Sequence, residues 1–180
     1  MGQGTLTFIS VGETIETILK TATTDDEDAI NEVIRASFSS LLTSKYDDIS
    51  LSAVLPQITK INPILLSCGT YYILKNKQNK IMGCGGWTHE QPGTTERIIG
   101  EAHLRHFATH PDFIGRGVGR TIFDHCKVMA KQGNIHRFMC YATLNAEIFY
   151  KSLGFKTEKP MNIDLGEGLS LPALLMTAEI

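Results

Sequence analysis

Apolar residues recur along this chain with two periods, one near 2 and one near 3.6, and the switches between them lay out the expected elements. The run IETILKTAT (15–23) alternates and predicts a strand. TTDDEDAINEVIRASFSSLL (23–42) opens with Thr and Asp residues suited to a helix N-terminus, then carries Ala29, Ile30, Val33, Ile34 and Phe38 on one face. DISLSAVLPQITKI (48–61) predicts a second helix, broken near Pro56 or ended there, with a turn at Asn62-Pro63. GTYYILKNKQNKIMGCGGWTHE (69–90) has two β-rich arms around a polar KNKQNK and reads as a hairpin, with Gly83, Gly85 and Gly86 marking a bulge or close backbone approach. EQPGTTERIIG (90–100) is a polar loop leading to the strand EAHLRHFATHP, which Pro111 ends. Val118, Ile122, Val128 and Met129 give Val118 to Gln132 a helical face. RFMCYATL is a further strand, NAEIFYKSLGF a short helix closed by Gly154, and FKTEKPMNI and LPALLMTAEI complete the chain as two strands. The order predicts a mixed α/β sheet domain over 15–180 behind a polar N-terminal tail over 1–14.

Composition narrows the function classes. With 180 residues of which 42% are hydrophobic, the chain suits one domain with a sizeable core. Lys and Arg number 17 against 19 Asp and Glu, a formal charge of -2, and no basic run offers a nucleic-acid footprint. No window holds the roughly 18 apolar residues of a membrane span, and no basic segment precedes an apolar stretch at the start, so the expected location is cytoplasmic. Leu6 stands where a myristoylation signal needs a small hydroxyl residue after Gly2. Cys68, Cys84, Cys126 and Cys140 are scattered without zinc-ligand spacing and read as reduced thiols; no metal site is expected.

The chemistry concentrates in DFIGRGVGRTIF (112–123), where Gly115, Gly117 and Gly119 alternate before a predicted helix. It is not a P-loop, because Ile114 stands five positions before Gly119, and not a dinucleotide fingerprint, because Arg120 stands where the third glycine belongs. What remains is physics common to both: a backbone able to approach an anion, free N–H groups at a helix start, and a favourable dipole, flanked by Arg116 and Arg120. A pyrophosphate suits such a loop; so does a plain tight turn with surface arginines.

The strand HLRHFATHP, the loop GRGVGR, the following helix and strand, and then NAEIFYKSLGF together resemble the GNAT superfamily of N-acetyltransferases. Asn145, Ala146, Phe149, Tyr150, Leu153, Gly154 and Phe155 match the signature N-A-x-x-F-Y-x-x-L-G-F, and GCGGWTHE looks like a strand of bacterial-type members. The resemblance implies an acyl-CoA N-acyltransferase fold, a mixed and mostly antiparallel central sheet flanked by helices. It also implies acetyl-CoA as co-substrate, with the pyrophosphate on the amides of Arg116, Gly117, Val118, Gly119 and Arg120 and the pantetheine along Phe107, Ala108 and Thr109. Ile114 departs from the family's usual Arg or Gln there.

Amide formation from a thioester requires that an ammonium lose a proton, that a developing oxyanion be held, and that a departing thiolate be protonated. The resemblance points to Tyr150 for the last role, with a reference pKa of roughly 10. Asn145 serves as an N-cap, as a cofactor contact, or as both. A backbone N–H near Phe107 or Ala108 would hold the oxyanion. For the base, His103 occupies the place of the catalytic glutamate of histone acetyltransferases in this superfamily; Glu101 is second, and a water chain to solvent is a third route. Strand alternation puts Glu101, His103 and Arg105 on one face and turns His106 away unless a bulge intervenes. His110 reads as a turn residue. The expected activity is direct acetyl transfer in a ternary complex to a small-molecule or protein amine; a non-catalytic acyl-CoA-binding module is the alternative. Pairing through the last strand would give a homodimer.

Overall fold

In the computed structural model, which describes residues 4–10 and 13–180, eight strands form one sheet in the order β1-β2-β3-β4-β5-β6-β8-β7. They are β1 Gly4–Ser10, β2 Glu13–Thr21, β3 Tyr71–Asn76, β4 Ile81–Thr88, β5 Glu101–Thr109, β6 Arg137–Thr143, β7 Lys156–Gly166 and β8 Leu169–Glu179. Helices are α1 Glu27–Leu41, α2 Asp48–Ile58, α3 Ile64–Ser67, α4 Val118–Gln132 and α5 Glu147–Ser152. The mixed, mostly antiparallel sheet expected from the sequence is present. Within the span expected as a tail, 1–14, the described residues depart from that expectation: Gly4–Ser10 forms a strand that pairs with β2 along seven register positions, and β2 itself begins at Glu13. TLTFIS alternates too weakly to stand out until a partner strand lies beside it.

The two faces of the sheet carry different cores. On one, α4 packs Val118, Ile122, Phe123, Cys126 and Ala130 against Tyr72, Leu74, Met82, Trp87, Ala102, Leu104 and Phe138. On the other, α1 sets Ile30, Val33 and Ile34 against Tyr71, Ile73, Ile81 and Cys84. Val128 and Met129, expected on the buried face of α4, are 54% and 37% exposed; the small residues Cys126 and Ala130 continue the stripe of Val118 and Ile122 at four-residue spacing. Helix α2 runs two residues past Pro56 and is capped by Asp47, whose side chain accepts the Ser50 N–H. The α1 start is fixed by Asp26, which bonds Thr23 and ion-pairs with Lys20 at 2.9 Å and Lys75 at 3.3 Å.

One junction departs from regularity, and it positions the site. β5 and β6 are parallel and pair only over Glu101–Arg137, Ala102–Phe138 and His103–Met139. Beyond His103 the two strands share no register pair, although each continues for several residues. The β4 to β5 register shifts between Cys84 and Gly86, and opposite that shift His106 has φ +48. This is a bulge on β5. It puts His106 on the α1 face, stacked on Phe38 with Nε2 2.9 Å from the Ile58 carbonyl, against simple alternation and through the stated exception to it.

Candidate functional site

A cavity of about 420 Å³ lies at the opening between β5 and β6. It runs from the glycine loop before α4, past Phe107, Ala108 and Thr109, to Asn145 and Tyr150, with Ser37, Phe38 and Leu41 of α1 and Leu42 just after it on its far wall. The loop, the strand segment and the α5 motif, far apart in sequence, thus share one space. The α1 wall had no signal in the sequence beyond an ordinary helical stripe, since only the sheet's opening makes those residues line anything.

Gly117 is the residue before the first turn of α4 and takes the left-handed conformation, φ +78; Gly115 has φ +76. Both face open space, with no atom within 4 Å of where a Cβ would stand. Gly119 is needed for a different reason: a Cβ there would meet Phe149 at 2.9 Å, so the glycine lets α5 come close to α4. The first helical backbone bond is from Thr121 to Gly117, which leaves the N–H groups of Gly117, Val118, Gly119 and Arg120 free. The Arg116 N–H is turned to the Phe113 carbonyl at 3.4 Å, so it belongs to the turn and not to the free set. The Arg116 guanidinium lies 5.7 Å from the Phe113 ring, whereas Arg120 donates to the Ser152 carbonyl and hydroxyl and ties α4 to α5. Ile114, 47% exposed, lines the cavity rim.

Tyr150 is 7% exposed and held among Phe107, Phe149 and Phe155, with ring centroids 6.4, 5.1 and 5.4 Å away. Its hydroxyl has no hydrogen-bond partner among the described residues, and burial pushes its pKa well above that of free tyrosine. It is therefore a proton donor over the whole physiological range. Asn145 does not cap α5: the residue before that helix is Ala146, and Asn145 sits inside a short 3-10 turn, Leu144–Ala146. Its Oδ1 is buried and unpaired, an orphaned acceptor on the cavity wall.

The two base candidates stand apart from this lining. Glu101 accepts from Arg137 Nη1 at 3.1 Å, an ion pair at the closed end of the β5–β6 seam. His103 is 4% exposed, faces Tyr141 with centroids 6.3 Å apart, and has an unpaired Nδ1. Burial, then the neighbouring Arg105 charge, lowers its pKa, so the imidazole is neutral at pH 7 and able to take a proton. His110 is a turn residue, its Nδ1 accepting the Asp112 N–H, and His125 packs on Tyr72. Among the described residues no group of His, Cys, Asp and Glu is placed to hold a metal ion, and no helix is long and apolar enough to cross a membrane.

Comparison with known proteins identifies the family. The family model described as "Acetyltransferase (GNAT) domain" matches residues 67–157, which run from the end of α3 through α5 and contain the loop, the opened seam and the α5 motif. The chain belongs to the GNAT acetyltransferase family. An uncharacterized acetyltransferase of Streptococcus pyogenes serotype M3 is 25% identical over 85 residues, a match spanning 45% of this chain and 60% of that relative. A GCN5-related N-acetyltransferase from Rhodopseudomonas palustris superposes with a TM-score of 0.71 at 18% identity, covering 90% of this chain and 94% of its own. PaiA N-acetyltransferase from Thermoplasma acidophilum, solved in complex with coenzyme A, superposes with a TM-score of 0.67 at 15% identity, covering 91% and 99%.

Proposed function

We propose that this chain transfers the acetyl group of acetyl-CoA to a primary amine, small-molecule or protein-borne, by direct transfer with both substrates bound. The observation that carries the reading is the unpaired Tyr150 hydroxyl at the cavity that also receives the free amides of the glycine loop. The residues suit acetyl-CoA: the amides of Gly117, Val118, Gly119 and Arg120 would take its pyrophosphate, and Asn145 Oδ1 offers an acceptor to an amide N–H of the pantetheine arm. The stretch Phe107–Thr109, beyond the last β5–β6 register pair, leaves a strand edge for the rest of that arm. When bound, acetyl-CoA supplies an activated acyl thioester.

The chain's own residues do the rest. The opened seam bares the edge of β5 beyond His103, and a backbone N–H there, at Phe107 or Ala108, is the donor for charge developing on the acyl oxygen. Tyr150 Oη holds the proton that the departing sulfur takes, and its burial keeps that proton in place until then. His103, neutral and with a bare Nδ1, is the first choice to receive the ammonium proton; Glu101 is committed to Arg137 and is the weaker candidate.

The test is acetyl-CoA-dependent thiol release across polyamines, amino acids, aminoglycosides, amino sugars and short peptides, with Tyr150→Phe as control. The variant should lose about 10²-fold or more in kcat while acetyl-CoA affinity by calorimetry stays within twofold. Undiminished turnover in Tyr150→Phe removes the phenol from the mechanism; acetyl-CoA binding without turnover of any amine favours a binding module.

A further inference from the structure

On the α1 face of the sheet, where β5 and β6 part, stands a cation that Glu90 reaches only at longer range. Arg105 follows the last register pair by two residues, at the level of Tyr141 across the opening. Its guanidinium is half-buried and carries five N–H donors, yet it makes a single protein hydrogen bond, from Nη1 to Thr88 Oγ1 at 2.9 Å. It has no ion pair among the described residues. The carboxylates nearby are already used: Glu90 pairs with Arg97, and Glu101 with Arg137. Thr88 completes its own bonding by donating to the Glu90 carbonyl at 2.9 Å, so the anchor that orients Arg105 is itself fixed.

A second unpaired group faces the same place. His103, one strand repeat earlier on the same face and more than nine-tenths buried, keeps Nδ1 without a partner, and Tyr141 stands across from it. The buried imidazole nitrogen is costly to leave without a partner, whereas no nitrogen of Arg105 is both buried and unpaired, so its N–H groups not used by Thr88 are open to an incoming acceptor. Phe107, two residues on, points to the other face against Tyr150, so the groups that hold the acyl donor and this cation are separated by about 7 Å of strand or less.

We propose that Arg105 is a recognition site for a carboxylate on the acceptor, which makes the acceptor a small amino acid or amino-acid-like amine rather than a polycation. The planar fork of arginine matches a carboxylate through two parallel bonds, and one face of Arg105 is already held by Thr88. His103 lies on the same strand face as the captured carboxylate, placed to serve the amine end. A polyamine would bring positive charge against Arg105 and be disfavoured.

This inference rests on the acetyl-transfer reading, and the experiment separates the two. Matched pairs, each an α- or ω-amino acid and its primary amide, are compared in the thiol-release assay with wild type, Arg105→Gln and Arg105→Lys. The expected result is a kcat/KM at least tenfold higher for the best acid than for its amide, carried by KM, with that preference falling to near unity in Arg105→Gln and partly restored in Arg105→Lys. Both variants should retain wild-type acetyl-CoA affinity, which reports an intact fold. An amide used as well as its acid, or a preference that survives Arg105→Gln, overturns the proposal. If no amine is turned over, the same pairs are titrated calorimetrically into CoA-loaded protein: binding of an acid but not its amide, lost in Arg105→Gln, supports the carboxylate site independently of catalysis, and absence of that difference overturns it.

Discussion

At the scale of single residues, the site is defined by polar atoms that the fold buries and leaves unmatched. Asn145 Oδ1 and His103 Nδ1 are the two in or beside the opened seam. His103 makes a pH test available. Its folded pKa lies below the ordinary histidine value of roughly 6.5, as do those of His106 and His125, each chiefly through burial. Between the unfolded and folded values the unfolded chain binds more protons, so stability is full above about pH 6.5 and is lost as pH falls toward the folded pKa. The groups acting on His103 are Arg105, which lowers its pKa further, and Glu101, which opposes this. Thermal melts from pH 7.5 to 5.0 should show Tm falling below pH 6.5 with a shallower slope in His103→Gln; parallel slopes would mean that His103 is solvated in the native state.

At the scale of elements, the junctions shape the cavity. Gly117 joins the loop to α4 with φ +78, in open space. A β-branched side chain there has room but not the backbone, so Gly117→Val should cost on the order of 1–3 kcal/mol of local strain. The relaxed loop would no longer aim its amides, and acetyl-CoA affinity should fall by more than tenfold while far-UV circular dichroism is retained. Calorimetry checks it, and unchanged affinity would exclude the loop as the pyrophosphate site. The elements themselves were largely legible. The α4 boundaries, Val118 to Gln132, match the span expected behind the glycine run, and the β3–β4 hairpin follows from its polar centre. The motif residues Asn145 and Tyr150 were legible as a pattern, but the Asn145 cap was misread because the 3-10 turn displaces the helix start to Glu147. The His106 bulge was legible only as a condition, since period-2 counting cannot see an inserted residue. Arg105 was placed on the right face, but its standing outside any ion pair is a property of three dimensions: Glu90, nearby in space, is taken by Arg97 from across a loop.

At the scale of the whole molecule, Tyr46 ties together segments far apart in the chain. Its hydroxyl donates to the Pro172 carbonyl at 2.7 Å and accepts the Leu144 N–H at 2.9 Å, joining the approach to α2 with β8 and with the turn that carries Asn145. Tyr46→Phe leaves a carbonyl and an N–H without this shared partner, a cost of about 1–3 kcal/mol. A lower Tm together with weakened acetyl-CoA binding is the expected outcome, because the turn beside Leu144 forms part of the cavity wall; a lower Tm with unaltered binding would show that the turn is held by its own backbone.

The parallel seam between β5 and β6 has three register pairs, against seven for β6 with β8. Mechanically the sheet is two antiparallel boards on a short hinge, one built from β1 to β5 and the other from β6 to β8. Pulled apart, such a sheet yields first along the hinge. A chain-like guest lying in the wedge would act as a splint, making the protein stiffest when it is loaded and loosest once the guest has left.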